Sequence, residues 1–258
     1  MTKSTKSAIR RRIDVNCDLG ETPLPWHESE EPLLLRLVTS ANVACGGHAG
    51  DDASMRAICA EAVRLGVAIG AQVSYPDREN FGRVALDMTA TALASSIGEQ
   101  FDALDVIARE CGTRVSYVKP HGTLYNTVVT RHDHAQAVVQ LAAKHRVALF
   151  GLPDSLTMRL AGETGVTFVR EWFADRAYRA DGTLVPRSQT GALVTSPHDV
   201  RERVMRAVQH GETVALDGHV VATPLETICI HSDTPGAAAL LAAVRSALDA
   251  CGVETART

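Results

Sequence analysis

Short runs rich in β-branched and small apolar residues alternate with stretches of helical periodicity from one end of the chain to the other. The runs are Ile13 to Asp18, Thr39 to Cys45, Val67 to Val73, Val115 to Lys119, Val147 to Gly151, Val166 to Glu171, and a closing pair at Thr213 to Leu216 and Thr227 to His231. They read as nearly continuous in apolar character, which predicts strands covered on both faces. Between them, Met55, Ile58, Cys59 and Ala62 form one helical stripe, and Leu93, Ile97, Phe101, Leu104 and Ala108 form a longer one. Both predict helices packed outside a sheet. Ser196-Pro197 and Thr234-Pro235 each place a hydroxyl just before a proline, the favoured order for a helix start. Strand alternating with helix predicts a parallel α/β architecture.

Length and composition narrow this. At 258 residues and 45% hydrophobic, the chain falls in the range where an α/β barrel folds as one unit. No Gly/Ser-rich linker or internal repeat divides it. The expected organisation is a basic, disordered tail over residues 1–12 followed by one catalytic domain over residues 13–258. The irregular stretches Glu21 to Pro32 and Asp77 to Asp87 are expected to cover one end of the barrel. A net charge of -4 with interspersed signs excludes a nucleic-acid surface. No apolar stretch is long enough to span a bilayer and no secretory h-region is present, so a cytoplasmic protein without a membrane partner is expected. Six cysteines without a CxxC pair read as small core residues rather than a disulfide framework.

Candidate chemistry falls at one edge. Strand after strand ends in a residue able to bind or move charge: Asp18, His48 just beyond the second run, Gln72, Lys119 with His121, Glu171, and His231 with Asp233. In a parallel barrel those edges share one face, where such folds carry their sites.

Four segments supply most of it. IDVNCDLGE places Asn16, Asp18 and Glu21 at a strand end, where a carboxylate can hold a cation or accept a proton. In TSANVACGGHAGDD, Asn42 and the pair Gly46-Gly47 precede His48, and a helix follows whose N-terminal N–H groups could receive an anion. No GxxxxGK[ST] string occurs, so this is not a P-loop. YVKPHGTLYN holds Lys119 extended against a proline with His121 beside it, and puts Tyr125 and Asn126 on the same rim. In REWFADRAYRADGTLVPRSQTGA, Arg176 and Arg187 suit a carboxylate or phosphate. A loop-fixing pair of Arg176 with Asp175 or Glu171 is an equal reading of the last segment.

Taken together, NCDLGE, TSANVACGGHAGD, GAQVSYPD with FGR, VKPHGTLYN, EWFADRAY with LVPR, and ICIHSD resemble the ordered motif set of the LamB/YcsF family, from Ile13 to the last helix. The resemblance implies a (β/α) barrel, usually of seven strands, related to the glycoside hydrolase/deacetylase barrels. It implies an ATP-dependent lactam hydrolase, the A component of 5-oxoprolinase, which converts 5-oxo-L-proline to L-glutamate together with separate B and C subunits. ATP with Mg2+ is the implied cofactor, no metal ligands are implied, and a homo-oligomer is compatible. On that reading Asp18, Glu21, His48, Lys119 and His121 are the catalytic candidates. Asn16, Asn42, Gln72, Tyr125, Asn126, Arg176, Arg187, His231 and Asp233 are the substrate-binding candidates.

The chain departs from the family pattern in three places. Gln72-Val73 stands where the motif commonly reads His-Pro, Ser232 where it reads Gly, and TPLPWHESEE follows Glu21 in place of a shorter loop. Two alternatives are therefore carried. One is a metal-dependent deacetylase-like hydrolase using Asp18, His48 and His121. The other is a non-catalytic, substrate-binding subunit of the same complex.

Overall fold

The computed structural model describes residues 11–257. Seven parallel strands form its centre: β1 (Arg12–Leu19), β2 (Ser40–Ala44), β3 (Ala68–Val73), β4 (Val115–Pro120), β5 (Ala148–Gly151), β6 (Phe168–Phe173) and, later in the chain, β9 (Thr227–Ile230). They pair in that order, and β9 returns to pair with β1, closing the barrel. Around it run α1 (Glu31–Leu37), α2 (Asp52–Leu65), α3 (Ala90–Glu110), α4 (Gly122–Thr127), α5 (His132–His145), α6 (Leu156–Thr164), α7 (Pro197–His210) and α8 (Ala237–Ala250). A short strand, β10 (Glu254–Thr255), adds to β1 at Arg12 and Ile13. Arg11 is fixed as well, its guanidinium donating to Val208 O at 2.7 Å, so the ordered fold begins ahead of the expected tail boundary. The rest of that tail, residues 1–10, lies outside the described residues.

The expected helical stripes are the buried faces of α2 and α3. They pack on the outward side chains of the strands, such as Val15, Cys17, Val43 and Ile69. Ser196 caps α7 through Asp199 N, and Pro197 is its first residue.

Three expectations are corrected. Thr213 to Leu216 is not a barrel strand. Residues 212–214 form β7 (Glu212–Val214), which pairs antiparallel with β8 (Val220–Ala222) around the Asp217-Gly218 turn. The interval before β9 is too short for a parallel crossover, so local hairpin pairing wins. Thr234 does not cap α8, which starts at Ala237 after Gly236. Its hydroxyl donates instead to Asp175 Oδ2 at 2.6 Å.

The third correction bears on the site. The strands are not apolar on both faces. In β1, Ile13, Val15, Cys17 and Leu19 face the helices, while Asp14, Asn16 and Asp18 bond to side chains of β2, β4 and β9 across the barrel. The lumen is thus a buried polar column. Beneath it, Tyr117 stacks on Phe150 with ring centroids 3.9 Å apart, and Val169 completes an apolar plug. Gly70 makes room for it, because a Cβ there would overlap the Tyr117 ring.

Candidate active site

The polar column rises from the plug to the C-terminal ends of the strands. Asp14 accepts from Ser40, Thr39 and Thr227. Above it, Asn42 Nδ2 donates to Asn16 Oδ1 (2.7 Å) and Asp18 Oδ1 (2.8 Å), and Tyr117 donates its hydroxyl to Asn42 Oδ1 at 2.7 Å. Both polar atoms of the Asn42 amide group are thereby directed. Asn16 and Asn42 do not line the cavity, so as placed they brace Lys119 and Asp18 rather than meet a ligand.

Lys119 occupies the axis. Its ammonium lies 3.0 Å from Asp18 Oδ1, 3.0 Å from Glu171 Oε1, 3.2 Å from Asn16 Oδ1 and 3.1 Å from Cys229 Sγ. Burial favours its neutral form, but Asp18, Cys229 and Glu171 together outweigh that and hold the lysine well above its ordinary range. Burial likewise opposes ionisation of Asp18, yet Lys119, His231, His121 and the Asn42 hydrogen bond together pull its carboxyl below the usual carboxylate range. The pair is ionised, and with Glu171 it forms a cluster removed from water. Such a group is costly to build and costly to break.

Above Lys119 opens a cavity of about 620 Å³. Its wall includes Asp18, Lys119, His121, Tyr125, Asn126, Phe173 and His231, and four guanidinium groups, Arg83, Arg176, Arg179 and Arg187. Among the described residues Asp18 is its one lining carboxylate, and it is already matched by Lys119. The cavity therefore carries surplus positive charge, which suits an anionic ligand. Arg83 and Arg187 both reach Asp233, Arg187 at 3.1 Å. Arg176 donates to Val185 O at 2.6 Å, and burial with Arg187 nearby brings it down to about 10. It makes no ion pair with Asp175 or Glu171, so the loop-fixing reading of that segment is not what forms.

A second group lies beside the cavity. The β2–α2 loop sets His48 against Glu21, with Nε2 3.0 Å from Glu21 Oε1. Ser74 Oγ donates to Tyr75 O, so it accepts from His48 Nδ1 at 3.1 Å. Phe81 O can only accept, so His121 carries its proton on Nε2 (3.1 Å) and leaves Nδ1 to accept from Gln72 Nε2 at 3.0 Å. Phe81 adopts φ 57, an uncommon backbone state for a large side chain, and this presents its carbonyl to the ring. Burial, with His48 stacked alongside, pushes His121 well below the usual histidine range, so it is neutral at neutral pH.

Gly47, just before His48, is a packing requirement. A Cβ on Gly47 would overlap Ser74 Oγ and the Gln100 amide. The following helix is closed by its own capping box, in which Asp51 accepts from Ser54 N at 2.8 Å. Its first N–H groups are not presented to an anion as the sequence suggested.

A profile of the LamB/YcsF family matches residues 13–258. The A component of 5-oxoprolinase from Streptomyces avermitilis is 48% identical over 246 residues, 95% of this chain and 98% of that protein. The chain belongs to the LamB/YcsF family.

Among solved structures, a lactam utilization protein from Thermus thermophilus superposes with a TM-score of 0.88 at 33% identity, covering 96% of this chain and all (100%) of that one. A family 4 carbohydrate esterase from Streptomyces lividans, solved with acetate, reaches a TM-score of 0.50 at 11% identity over 96% of this chain and 93% of its own. That likeness is one of fold alone, a parallel barrel shared with a carbohydrate esterase.

The departures of this LamB/YcsF chain now have physical partners. Gln72 gives His121 a hydrogen-bond donor in place of a second titrating ring. Ser232 points its hydroxyl at Glu21 Oε2 (3.3 Å). The loop after Glu21 makes a 3-10 turn at Trp26–Glu28 and lines a separate, acid-rich recess with Glu28, Glu30 and Glu31.

The metal alternative fits poorly. Asp18 is engaged by Lys119 and Asn42, so the carboxylate that meets His48 and His121 is Glu21. Their ligand atoms lie within 4.8 Å of one another. However, the two imidazoles stack at 3.6 Å with planes 6° apart, and an ion in the plane of one ring is out of the plane of the other. A ring would have to turn for both to ligate.

Of the residues singled out from sequence, Asp18, Lys119, His121, Tyr125, Asn126, Arg176, Arg187 and His231 line the cavity. Gln72 bonds to His121, His48 stacks on it and meets Glu21, and Asp233 ties Arg83 to Arg187. Sequence reasoning did not assign Arg83, Arg179, Cys229 and Asp175 to the site. Arg83 sits in the quoted FGR string, and Cys229 alternates with His231 at the end of β9, so both carried a readable signal.

Proposed function

We propose that this chain is the A component of an ATP-hydrolysing 5-oxoprolinase, opening 5-oxo-L-proline to L-glutamate with separate B and C subunits. One observation carries the reading: an ionised Lys119, fixed by Asp18 and Glu171, forms the floor of a cavity whose rim holds four arginines. The family relationship and the names of its relatives support the substrate.

The chemistry asked of the site is hydrolysis of an unstrained lactam, a poor electrophile. ATP supplies a phosphoryl group that makes the ring carbonyl easier for water to attack. Arg176, Arg179 and Arg187 fit the negative charge of a substrate carboxylate or of phosphate. Lys119 sits where charge developing on the carbonyl oxygen would be stabilised in a dry, preorganised setting. Tyr125, on Phe173 at 5.3 Å between ring centroids, shapes the apolar side against the ring methylenes.

The test is ATP-dependent formation of glutamate from 5-oxoproline by the purified chain with its B and C partners. Turnover should require all three, and Lys119→Ala should abolish it. Absence of turnover with the authentic partners would overturn the assignment.

A further inference from the structure

His231 follows β9 at the cavity wall, and its Nδ1 lies 3.0 Å from Asp175 Oδ2 and 3.1 Å from Oδ1. Asp175 is fully buried and receives two further hydrogen bonds, from the His231 backbone N–H (3.1 Å) and the Thr234 hydroxyl (2.6 Å). A carboxylate held in this way can only accept, so it fixes the proton of His231 on Nδ1 and turns Nε2 outward as a lone-pair acceptor. The Phe173 ring, stacked at 5.1 Å and 10°, holds the imidazole in orientation. The side chain of His231 keeps 12% of its surface exposed. The other cavity histidine differs in kind, since both ring nitrogens of His121 are already engaged.

We propose that His231 is the general base that activates water in this site, and that Asp175 is its positioning residue. The inference rests on the lactam-hydrolase reading above. Nε2 takes a proton from water as the water oxygen bonds to the ring carbon that the phosphoryl group has activated through the carbonyl oxygen, and the C=N π pair moves onto the ring nitrogen. Nitrogen then takes the proton from Nε2, the C–N bond breaks with its electrons on nitrogen as a lone pair of the new hydroxyl closes the C=O, and the hydroxyl proton goes to solvent. A second water releases the phosphoryl group as phosphate, and His231 is neutral again. Asp175 keeps its charge throughout, as in other carboxylate–histidine pairs. The charged groups around His231 are Asp18 on β1, Lys119 on β4, Asp175, Arg176 and Arg187 in the segment after β6, and Asp233 on its own loop.

The experiment uses the assembled three-component enzyme. Wild-type turnover of 5-oxoproline comes first, and its absence counts against the functional reading rather than the dyad. Given turnover, His231→Asn, which can still donate to Asp175, should lower kcat by about 10²- to 10⁴-fold with KM within a few fold of wild type. Asp175→Asn should reduce kcat comparably, because the amide can donate to Nδ1 and favours the wrong tautomer. If that variant does not fold, His231→Asn alone decides. A kcat close to that of wild type, or a loss confined to KM, overturns the proposal.

Discussion

Lys119 Nζ lies 3.0 Å from Glu171 Oε1 across the barrel axis, joining β4 to β6 where neither side chain meets bulk water. With Asp18 on the opposite side, one ammonium serves two carboxylates. Removing it leaves both acids buried without a counter-charge. Lys119→Met should therefore cost about 3–5 kcal/mol in urea unfolding at neutral pH, besides abolishing turnover. The loss should shrink on acidification, since protonating Asp18 relieves part of the uncompensated charge. A cost under ~1 kcal/mol at pH 7 would mean that the cluster does not hold the barrel together.

Asp175 sets a pH window. Burial favours its neutral form, but His231 and Thr234 outweigh this and hold the carboxyl at about 2, against an ordinary 3.8. A depressed carboxylate stabilises the fold above its unfolded pKa and loses that contribution as pH falls toward the folded value. The contribution is on the order of 2 kcal/mol above about pH 4, declining between about pH 4 and 2. Asp18, shifted in the same direction, adds to the same decline. Urea midpoints across this range should fall less steeply for Asp175→Asn than for wild type. Parallel slopes would contradict the assignment.

Arg179 lines the cavity and forms no ion pair among the described residues. Its guanidinium is therefore available to an anion without first releasing an internal partner. Arg179→Ala should raise KM for the anionic ligand it contacts by roughly 10-fold while leaving kcat and thermal stability near wild type, the loss expected for one charged hydrogen bond. Arg187→Ala should do more, because it also frees Asp233 from one of its two arginines. Equal and small effects in both would place the anion elsewhere.

Gly70 is a packing requirement. A methyl group there would overlap the Tyr117 ring that plugs the lumen, so Gly70→Ala should destabilise by more than about 2 kcal/mol or prevent folding. Tyr117→Phe keeps the plug and removes only the hydroxyl that Asn42 accepts, and should cost about 1–2 kcal/mol. Thermal unfolding of the two variants separates the steric from the polar contribution. A Gly70→Ala protein as stable as wild type would mean that the Tyr117 ring can move aside.

Most of the barrel was legible because outward side chains obey a local rule. The stripes of α2 and α3, the strand runs and the Ser196-Pro197 start all follow from periodicity and capping, which neighbouring residues fix. The errors share one cause. Thr213 to Leu216 looked like a barrel strand because its composition is that of one, yet the Asp217-Gly218 turn folds it back on β8. Thr234 looked like a cap until Asp175, distant in sequence, claimed its hydroxyl.

The sequence by itself determined the family, the βα alternation and the clustering of polar residues at one edge of the sheet. It could not decide which of those residues meet. The spacing of Asp18 from Lys119, or of Asp175 from His231, says nothing about partnership, because strands far apart in the chain become neighbours across the lumen only when β9 closes on β1. Closure also decided protonation. Burial favours the neutral form of every ionisable group, and only the partner found across the barrel determines which of them keep their charge. Lys119 keeps its charge beside Asp18, while His121, stacked against a second ring, loses it.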